Sequence, residues 1–448
     1  MSNISVIGAG YVGLVTAACF AELGHRVRLV EINTERVDSL KKGLMPVAEE
    51  DLPEMWQRNW EEGRLSVTSD YVEGLADSEF AFITVGTPSA SNGKPDLKWV
   101  RSAAKSIADA ASGPIIIVLK STVPVGTADI VAGILARHCQ NGYNFPVVSN
   151  PEFLREGIAV HDFMHPFRVV VGSYDQDAAD TVAKLYESLD SPLITCDNRT
   201  AEMSKYASNV FLATRISFIN EIALLCDEYG VDVTKVAQIT GMEPRCGDGY
   251  LGAGLGWGGS CLPKDVRGLI HMAKTRNVPV PLLDAVQQIN ERQPYLVIEK
   301  LRRLIGSLND KTIGVLGLSF KPASDDLREA RSLLLIDLLE KEQCRVRAYD
   351  PLAMEATAKL FPDVTYCSDA YEVATGSDAL ILVTEWDEFK ELDMERVASS
   401  MNQAVMVDGR NLYDPEAMVK AGFRYEGIGR HSKGRKIQKE GRLLQILT

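Results

Sequence analysis

The stretch "NISVIGAGYVGLVTAACFAELGHRVRLVEINTERV", Asn3 to Val37, constrains the fold more than any other part of the chain. An apolar run enters a glycine turn, an amphipathic helix follows as far as Gly24, and a second apolar run ends at Glu31. That order opens a βαβ unit, and parallel strands joined by a crossover need a sheet covered by helices. Gly8, Gly10 and Gly13 keep the GxGxxG spacing that lets a pyrophosphate approach the backbone at a helix N-terminus. Glu31 stands where an acid binds ribose hydroxyls and disfavours the extra phosphate of NADP, so NAD is the expected cofactor. Arg36, nearby, could face either dinucleotide.

The runs "FAFITVG", "PIIIVLKST" and "FPVVSNPEF" read as further strands, and their alternation with helices predicts a doubly wound parallel sheet. The pattern returns in "TIGVLGLSF", "CRVRAYDP" and "SDALILVTEW". This second copy keeps only Gly314 and Gly317 of the glycine set, so no second dinucleotide is expected. Lys321, Arg328 and Arg331 lie instead in the post-strand loop and helix entry, where such sheets bind ligands, and point to a different nucleotide. Between the two copies the chain reads as helical. "AEMSKYASNVFLATRISFINEIALLCDEYG" predicts a helix of about thirty residues, roughly 45 Å long, closed by Gly230. The expected fold class is α/β, with two Rossmann-like doubly wound parallel-sheet domains, 1–199 and 306–448, joined by a central helical domain, 200–305. The long helix is expected to connect them and to offer a dimerisation surface.

A chain of 448 residues with 46% hydrophobic and 24% charged content is ordinary for a soluble globular protein. Its net charge of −13 argues against general nucleic-acid binding. No apolar stretch reads as long enough to cross a membrane, and the N-terminus enters a strand without a basic leader, so a cytoplasmic location is expected. The eight cysteines form no CxxC pair and no cluster with histidine, so neither a disulfide framework nor a metal site is expected. The basic tail "RHSKGRKIQKEGR" reads as a solvated surface.

One cysteine stands apart. In "GWGGSCLPKD", Cys261 has Gly258, Gly259 and Ser260 before it and a proline-led helix start after it. Buried structural cysteines pack as small hydrophobes among bulky neighbours. Here the helix N-terminus and Lys264 both favour the thiolate, and the glycines are expected to leave room for a substrate to reach the sulfur.

"GAGYVGL", "STVPVGT", "NPEFLREG", "EMSKYASNVFLATRISFINE", "GWGGSCLPKD", "GLSFKP", "YDP" and "TEWDEF", in this order, resemble the UDP-glucose/GDP-mannose dehydrogenases over nearly the whole chain. The resemblance implies an NAD-dependent four-electron oxidation of a sugar C6 alcohol to a carboxylate, with an NAD domain, a helical dimer core and a nucleotide-sugar domain. It implies that Cys261 is the nucleophile, forming a thiohemiacetal and then a thioester. Lys205 and Asn209, one helical turn apart, would stabilise oxyanions, and Asp265, Glu152 and Thr122 would handle water and protons. By the same likeness Gly8, Gly10, Tyr11, Val12, Gly13, Glu31, Arg36, Thr84, Thr122, Glu156 and Arg328 serve the cofactor. Phe153, Leu154, Glu156, Lys205, Asn209, Arg245, Tyr250, Gly258, Lys321 and Arg410 serve the substrate. Arg245 would reach the substrate of the partner subunit in a homodimer, and with Arg168 in "HPFRVVVG" it resembles the branch that acts on UDP-glucose. Cys246, Leu262 and Glu31 depart from that branch, and they bear on the sugar rather than on the reaction. UDP-glucose is the expected substrate. The alternatives are the same chemistry on GDP-mannose or a UDP-N-acetylhexosamine, or a nucleotide-sugar sensor without catalysis.

Overall fold

The computed structural model describes residues 1–90, 92–139 and 142–431, so nearly all of the basic tail lies outside the described residues. The chain divides into two compact units, 1–209 with 267–279, and 210–266 with 280–448.

Within the described residues of the first unit an eight-stranded sheet has the order β3-β2-β1-β4-β5-β6-β7-β8. Its strands are β1 (Asn3–Ile7), β2 (Arg26–Val30), β3 (Leu65–Thr68), β4 (Phe80–Ile83), β5 (Ile116–Leu119), β6 (Val147–Ser149), β7 (Val169–Gly172) and β8 (Leu193–Cys196). Neighbours pair in parallel except β6 and β7, which meet antiparallel at the single register pair Ser149↔Gly172. Strands β4 and β7 are buried along their whole length, as an apolar run without alternation requires in a sheet covered on both faces. Phe20, on the helix Tyr11–Glu22, is fully buried and meets the rings of Phe82, Phe163 and Tyr186 at centroid distances of 5.0, 5.2 and 5.4 Å. Truncating such a side chain to alanine costs about 3–5 kcal/mol.

The second unit holds a six-stranded, all-parallel sheet in the order β11-β10-β9-β12-β13-β14. These strands are β9 (Thr312–Leu316), β10 (Arg345–Tyr349), β11 (Thr365–Tyr366), β12 (Ala379–Leu382), β13 (Val405–Asp408) and β14 (Arg424–Gly427). In both sheets the first strand in chain order lies beside the second and the fourth, so the order reverses at β1 and again at β9. Reversals of this kind are the switch points at which open α/β sheets bind ligands.

The long helix spans Asn198–Tyr229, 32 residues, and Gly230 at φ +67° ends it. It corrects one expectation, because by length and composition it could cross a bilayer. Polar residues interrupt its apolar positions, so it holds no continuous apolar run. Ala201, Tyr206, Val210, Ala213, Ile219 and Ala223 are buried, however, and so are Glu202, Lys205, Asn209, Ser217 and Asn220. Buried polar groups with protein partners belong to the core helix of a folded domain.

Candidate active site

The dinucleotide turn is built around two different glycine requirements. A Cβ on Gly13 would lie 1.9 Å from the Gly8 carbonyl oxygen and 2.7 Å from Thr84 Oγ1, so the close approach of helix to strand excludes any side chain there. A Cβ on Gly10 would meet nothing within 4 Å. Gly10 is the N-cap of the helix Tyr11–Glu22, with no side-chain cap and no acid in the first turn. Thr84 Oγ1 donates to the carbonyls of Ile7 and Gly8, each at 2.9 Å, and steadies the turn from β4. The Glu31 carboxylate accepts the Ala9 and Asn33 amides, both at 2.9 Å, with Arg36 at 3.9 Å. Tyr11 accepts the Gly157 amide through its hydroxyl, and Val12 is half-buried in the first helical turn. Open space beside an uncapped helix end, with an oriented acid at the end of the second strand, fits a dinucleotide.

Further along the same sheet a charged pair is buried. Lys205 Nζ lies 3.2 Å from Glu152 Oε1, with both side chains at most 6% exposed. Glu152 Oε2 accepts the Leu154 amide at 2.7 Å, which fixes the carboxylate in the loop after β6. Phe153 lies beneath two cations, with Lys205 Nζ at 5.2 Å and the Arg168 guanidinium at 3.7 Å from its ring centroid. Arg168 also donates to Ser208 at 3.2 Å. Asn209 is buried one turn beyond Lys205. Thr122 is half-buried after β5, its carbonyl accepting the Thr87 hydroxyl at 2.8 Å, while Leu154 and Glu156 are half-buried. The first unit thus brings together Glu152, Phe153, Arg168, Lys205 and Asn209.

Two residues in this region went unread in the sequence. Lys120 ends the apolar run of β5 yet is buried, donating to Asn150 Oδ1 at 3.1 Å and to the Tyr186 hydroxyl at 3.3 Å. Glu202 accepts the amides of Gly126 at 2.6 Å and Ala128 at 2.8 Å, at the start of the helix Thr127–His138. Burial pushes its carboxyl up to about 7. The available signal for Lys120 was a cation directly following "PIIIVL".

In the second unit Cys261 is exposed and immediately precedes the helix Leu262–Thr275. Its carbonyl accepts the Asp265 amide at 2.9 Å, the first bond of that helix, and its sulfur lies 3.4 Å from Ser260 Oγ. Lys264 pairs with the buried Asp265 at 2.5 Å, so its charge is already engaged by a neighbouring carboxylate. The glycines before the cysteine let a second segment approach the loop closely. A Cβ on Gly258 would lie 2.4 Å from the Glu329 carbonyl oxygen, and one on Gly259 would lie 2.7 Å from the Phe320 ring. The segment from Phe320 to Glu329 folds against this loop, with the Gly259 amide donating to the Arg328 carbonyl at 2.9 Å, while Cys261 itself stays exposed.

That segment carries Lys321, 5.7 Å from the Phe320 ring centroid, and Arg328, whose guanidinium is held by Asp326 at 2.6 Å. Arg331 is buried and bonds the Glu329 carbonyl at 3.3 Å. Arg410 donates to the Val383 carbonyl at 2.6 Å and reaches the Gly256 carbonyl at 3.4 Å, with Glu385 at 3.1 Å. The second unit therefore gathers the cysteine loop, the Phe320–Glu329 segment and Arg410. Arg245 stands apart: its side chain is 87% exposed and paired with Glu243 at 2.9 Å. Tyr250, at φ +63°, is also exposed.

A dinucleotide turn on one switch-point sheet, and a second such sheet beside a cysteine at a helix start, define a dehydrogenase built from two α/β halves. Residues 2–190 match the NAD binding domain, 199–292 the central domain and 314–415 the UDP binding domain of the UDP-glucose/GDP-mannose dehydrogenase family. The chain belongs to that family, and NAD is its cofactor. It is 44% identical over 431 residues to the UDP-glucose 6-dehydrogenase TuaD of Bacillus subtilis, covering 96% of this chain and 94% of that one. To the UDP-glucose 6-dehydrogenase of Pseudomonas aeruginosa it is 45% identical over 446 residues, covering 96% and 98%. The solved UDP-glucose dehydrogenase of Pyrobaculum islandicum superimposes with a TM-score of 0.90 at 39% identity, covering 96% of this chain and 98% of that one.

Proposed function

We propose that the chain is a cytoplasmic, homodimeric UDP-glucose 6-dehydrogenase that carries the C6 alcohol to the carboxylate without releasing the aldehyde. The observation that carries this reading is an exposed cysteine at a helix start, held by a loop folded against a cationic segment. A two-electron alcohol dehydrogenase has no use for such a thiol. The proposed organisation is an NAD domain over 1–199, a central helical domain over 200–305 and a UDP-sugar domain over 306–448.

Bound NAD supplies the hydride acceptor for each of the two oxidations. Gly8, Gly10, Val12, Gly13 and Glu31 would hold it, with Tyr11, Arg36, Thr84, Glu156 and Arg328 around it. The Cys261 thiolate adds to the C6 aldehyde to give a thiohemiacetal, a better hydride donor than a free aldehyde. The second oxidation leaves a thioester. Water adds to the thioester carbonyl, the C–S bond breaks, and the sulfur departs as thiolate. Overall, one alcohol, two NAD⁺ and one water give one carboxylate, two NADH and three protons.

Lys205 and Asn209 are assigned to the oxygen that gains negative charge at each addition. Glu152, Asp265 and Thr122 are assigned to the proton and the water. The buried, ion-paired setting of Glu152 favours it as the group that receives the water proton. Phe153, Leu154, Gly258, Tyr250, Lys321 and Arg410 are assigned to the nucleotide sugar. The high exposure of Arg245 supports its use by the partner subunit, and Phe211, Phe218 and Leu225, exposed at seven-residue intervals on the long helix, support a dimer.

Stoichiometry tests the reading. Each UDP-glucose should yield two NADH and one UDP-glucuronate, and Cys261→Ala should make no uronate while NAD binding stays within a few-fold. A ratio near one, or undiminished uronate from the variant, defeats the covalent route, and no NADH at all makes the chain a sensor. Mixing Arg245→Ala with Cys261→Ala subunits should restore part of the activity, which an active monomer would not require. Turnover of GDP-mannose and UDP-N-acetylhexosamines faster than UDP-glucose would reassign the sugar.

A further inference from the structure

Lys120 directly follows β5 and is buried against Asn150, the residue after β6, where β6 meets β7 antiparallel. Its two hydrogen-bond partners, Asn150 Oδ1 and the Tyr186 hydroxyl, are neutral. Tyr186 donates in turn to the same Asn150 oxygen at 2.5 Å. Asn150 joins three strands: its amide donates to the Leu119 carbonyl of β5 at 2.8 Å, its side chain donates to the Val170 carbonyl of β7 at 2.8 Å, and it directly follows β6. The antiparallel junction there consists of one register pair, and this side chain ties across it together with Asn198, which donates to Val147, Ser149 and Gly172. Glu152 is two residues further along.

We propose that Lys120 is a positioning residue for the oxidation: it holds Asn150, and thereby the strand end that presents Glu152, and sets a second positive charge behind the Lys205–Glu152 pair. The inference rests on the role given to Glu152 under the proposed function. A buried ammonium with neutral partners is expensive unless a charge in reach favours it. The groups facing Lys120 are Cys19 from the first helix, Phe163 and Tyr186 from the elements that cover the sheet, Glu152 beyond β6 and Lys205 from the long helix. Burial drives the Cys19 thiol and the Tyr186 phenol far up, which leaves both neutral. The charges that Lys120 senses are therefore Glu152, which favours its ammonium form, and Lys205, which opposes it. Burial brings the Lys120 ammonium down to about 8, so its charge can change within the range of ordinary assays.

The first test is independent of turnover. In the full-length protein labelled with 15N-lysine, the resonance absent from Lys120→Gln should titrate near 8. In Glu152→Gln it should titrate at lower pH, and in Lys205→Met at higher pH. Titration at an ordinary lysine value, or indifference to Glu152→Gln, overturns the proposal. If Lys120→Gln does not fold, Lys120→Arg assigns the resonance. The second test is kinetic: Lys120→Gln should lower kcat at least tenfold with both KM values within twofold, and should remove a limb of the kcat profile near pH 8. An unchanged kcat and profile overturn the proposal even if the titration is as expected. A parent enzyme that makes no NADH from UDP-glucose defeats the substrate assignment instead, and the titration of Lys120 still decides whether it is coupled to Glu152.

Discussion

The two sheets open alike and part within a few residues. Gly8 at φ +103° and Gly317 at φ +90° each end a first strand, and their amides bond the last carbonyls of the second strands, Val30 at 2.8 Å and Tyr349 at 2.9 Å. Each second strand is followed by an acid. Glu31 accepts two backbone amides and keeps lone pairs to offer. Asp350 is fully buried and takes the amides of Leu318, Ser319, Leu352 and Ala353 together with Trp386 Nε1, which leaves it a structural knot. In the first unit the helix starts at Tyr11, directly on the turn, whereas in the second it waits until Arg331. The intervening residues fold against the cysteine loop. One βαβ opening can thus present either a helix end to a phosphate or a cationic segment to a reactive loop, depending on how soon the helix begins.

The largest effect is expected from Gly13→Ala. The new methyl would sit 1.9 Å from the Gly8 oxygen, where overpacking costs about 3 kcal/mol or more. NAD affinity should fall beyond a hundredfold by calorimetry, while UDP binding to the other unit stays within twofold. A variant with parental melting temperature and NAD affinity would show that the first turn is no tighter than the second.

Glu202 sharpens the contrast inside the first unit, because it occupies the start of the helix Thr127–His138 and leaves the end at Tyr11 open. Its carboxyl is pushed up to about 7 by burial, against 4.5 ordinarily, so between those values the folded chain binds more protons than the unfolded one. Stability from this group is therefore fully present below about pH 4.5 and lost as pH rises through about 7. The loss is at most about 3 kcal/mol. Urea unfolding of the parent and of Glu202→Gln at pH 5, 6, 7 and 8 should show their difference shrinking across that window, with a constant difference removing Glu202 as the cause.

What could be read from the sequence was what lies within a turn or a helix. The glycine turn, the acid that closes β2, the helix ending at Gly230 and the helix start at Cys261 all follow from neighbours a few positions apart. The triangle of Lys120, Asn150 and Tyr186 links residues 30 and 36 positions apart, and a lysine after an apolar run looks like the solvated end of a strand. Gly258 and Gly259 show the same limit from the other side. Their need for small size was legible, but the Phe320 ring and the Glu329 carbonyl that impose it belong to a distant segment.

Gly317→Ala is the counterpart in the second sheet. Its Cβ would lie 2.6 Å from the Thr384 amide nitrogen, and its φ is left-handed, so a loss of about 2 kcal/mol is expected. NAD affinity should not change. A tenfold loss there would mean that the second turn also serves the dinucleotide.

The mildest test bears most directly on the open helix end. Gly10 has φ −78° and ψ −177°, a conformation that alanine adopts freely, and its Cβ would meet no protein atom within 4 Å. Gly10→Ala should therefore fold normally, losing about 0.5 kcal/mol because alanine is a poorer N-cap than glycine. The same methyl occupies the space through which a pyrophosphate comes up to the backbone, so NAD affinity should fall about tenfold, or about 1.4 kcal/mol. Gly13→Ala loses NAD affinity together with stability, and Gly317→Ala loses stability without touching NAD. Only Gly10→Ala should separate binding from folding in the first sheet. If its NAD affinity equals the parent's while its melting temperature also holds, the dinucleotide does not cross Gly10, and the immediate start of the helix at Tyr11 is not what distinguishes the two sheets.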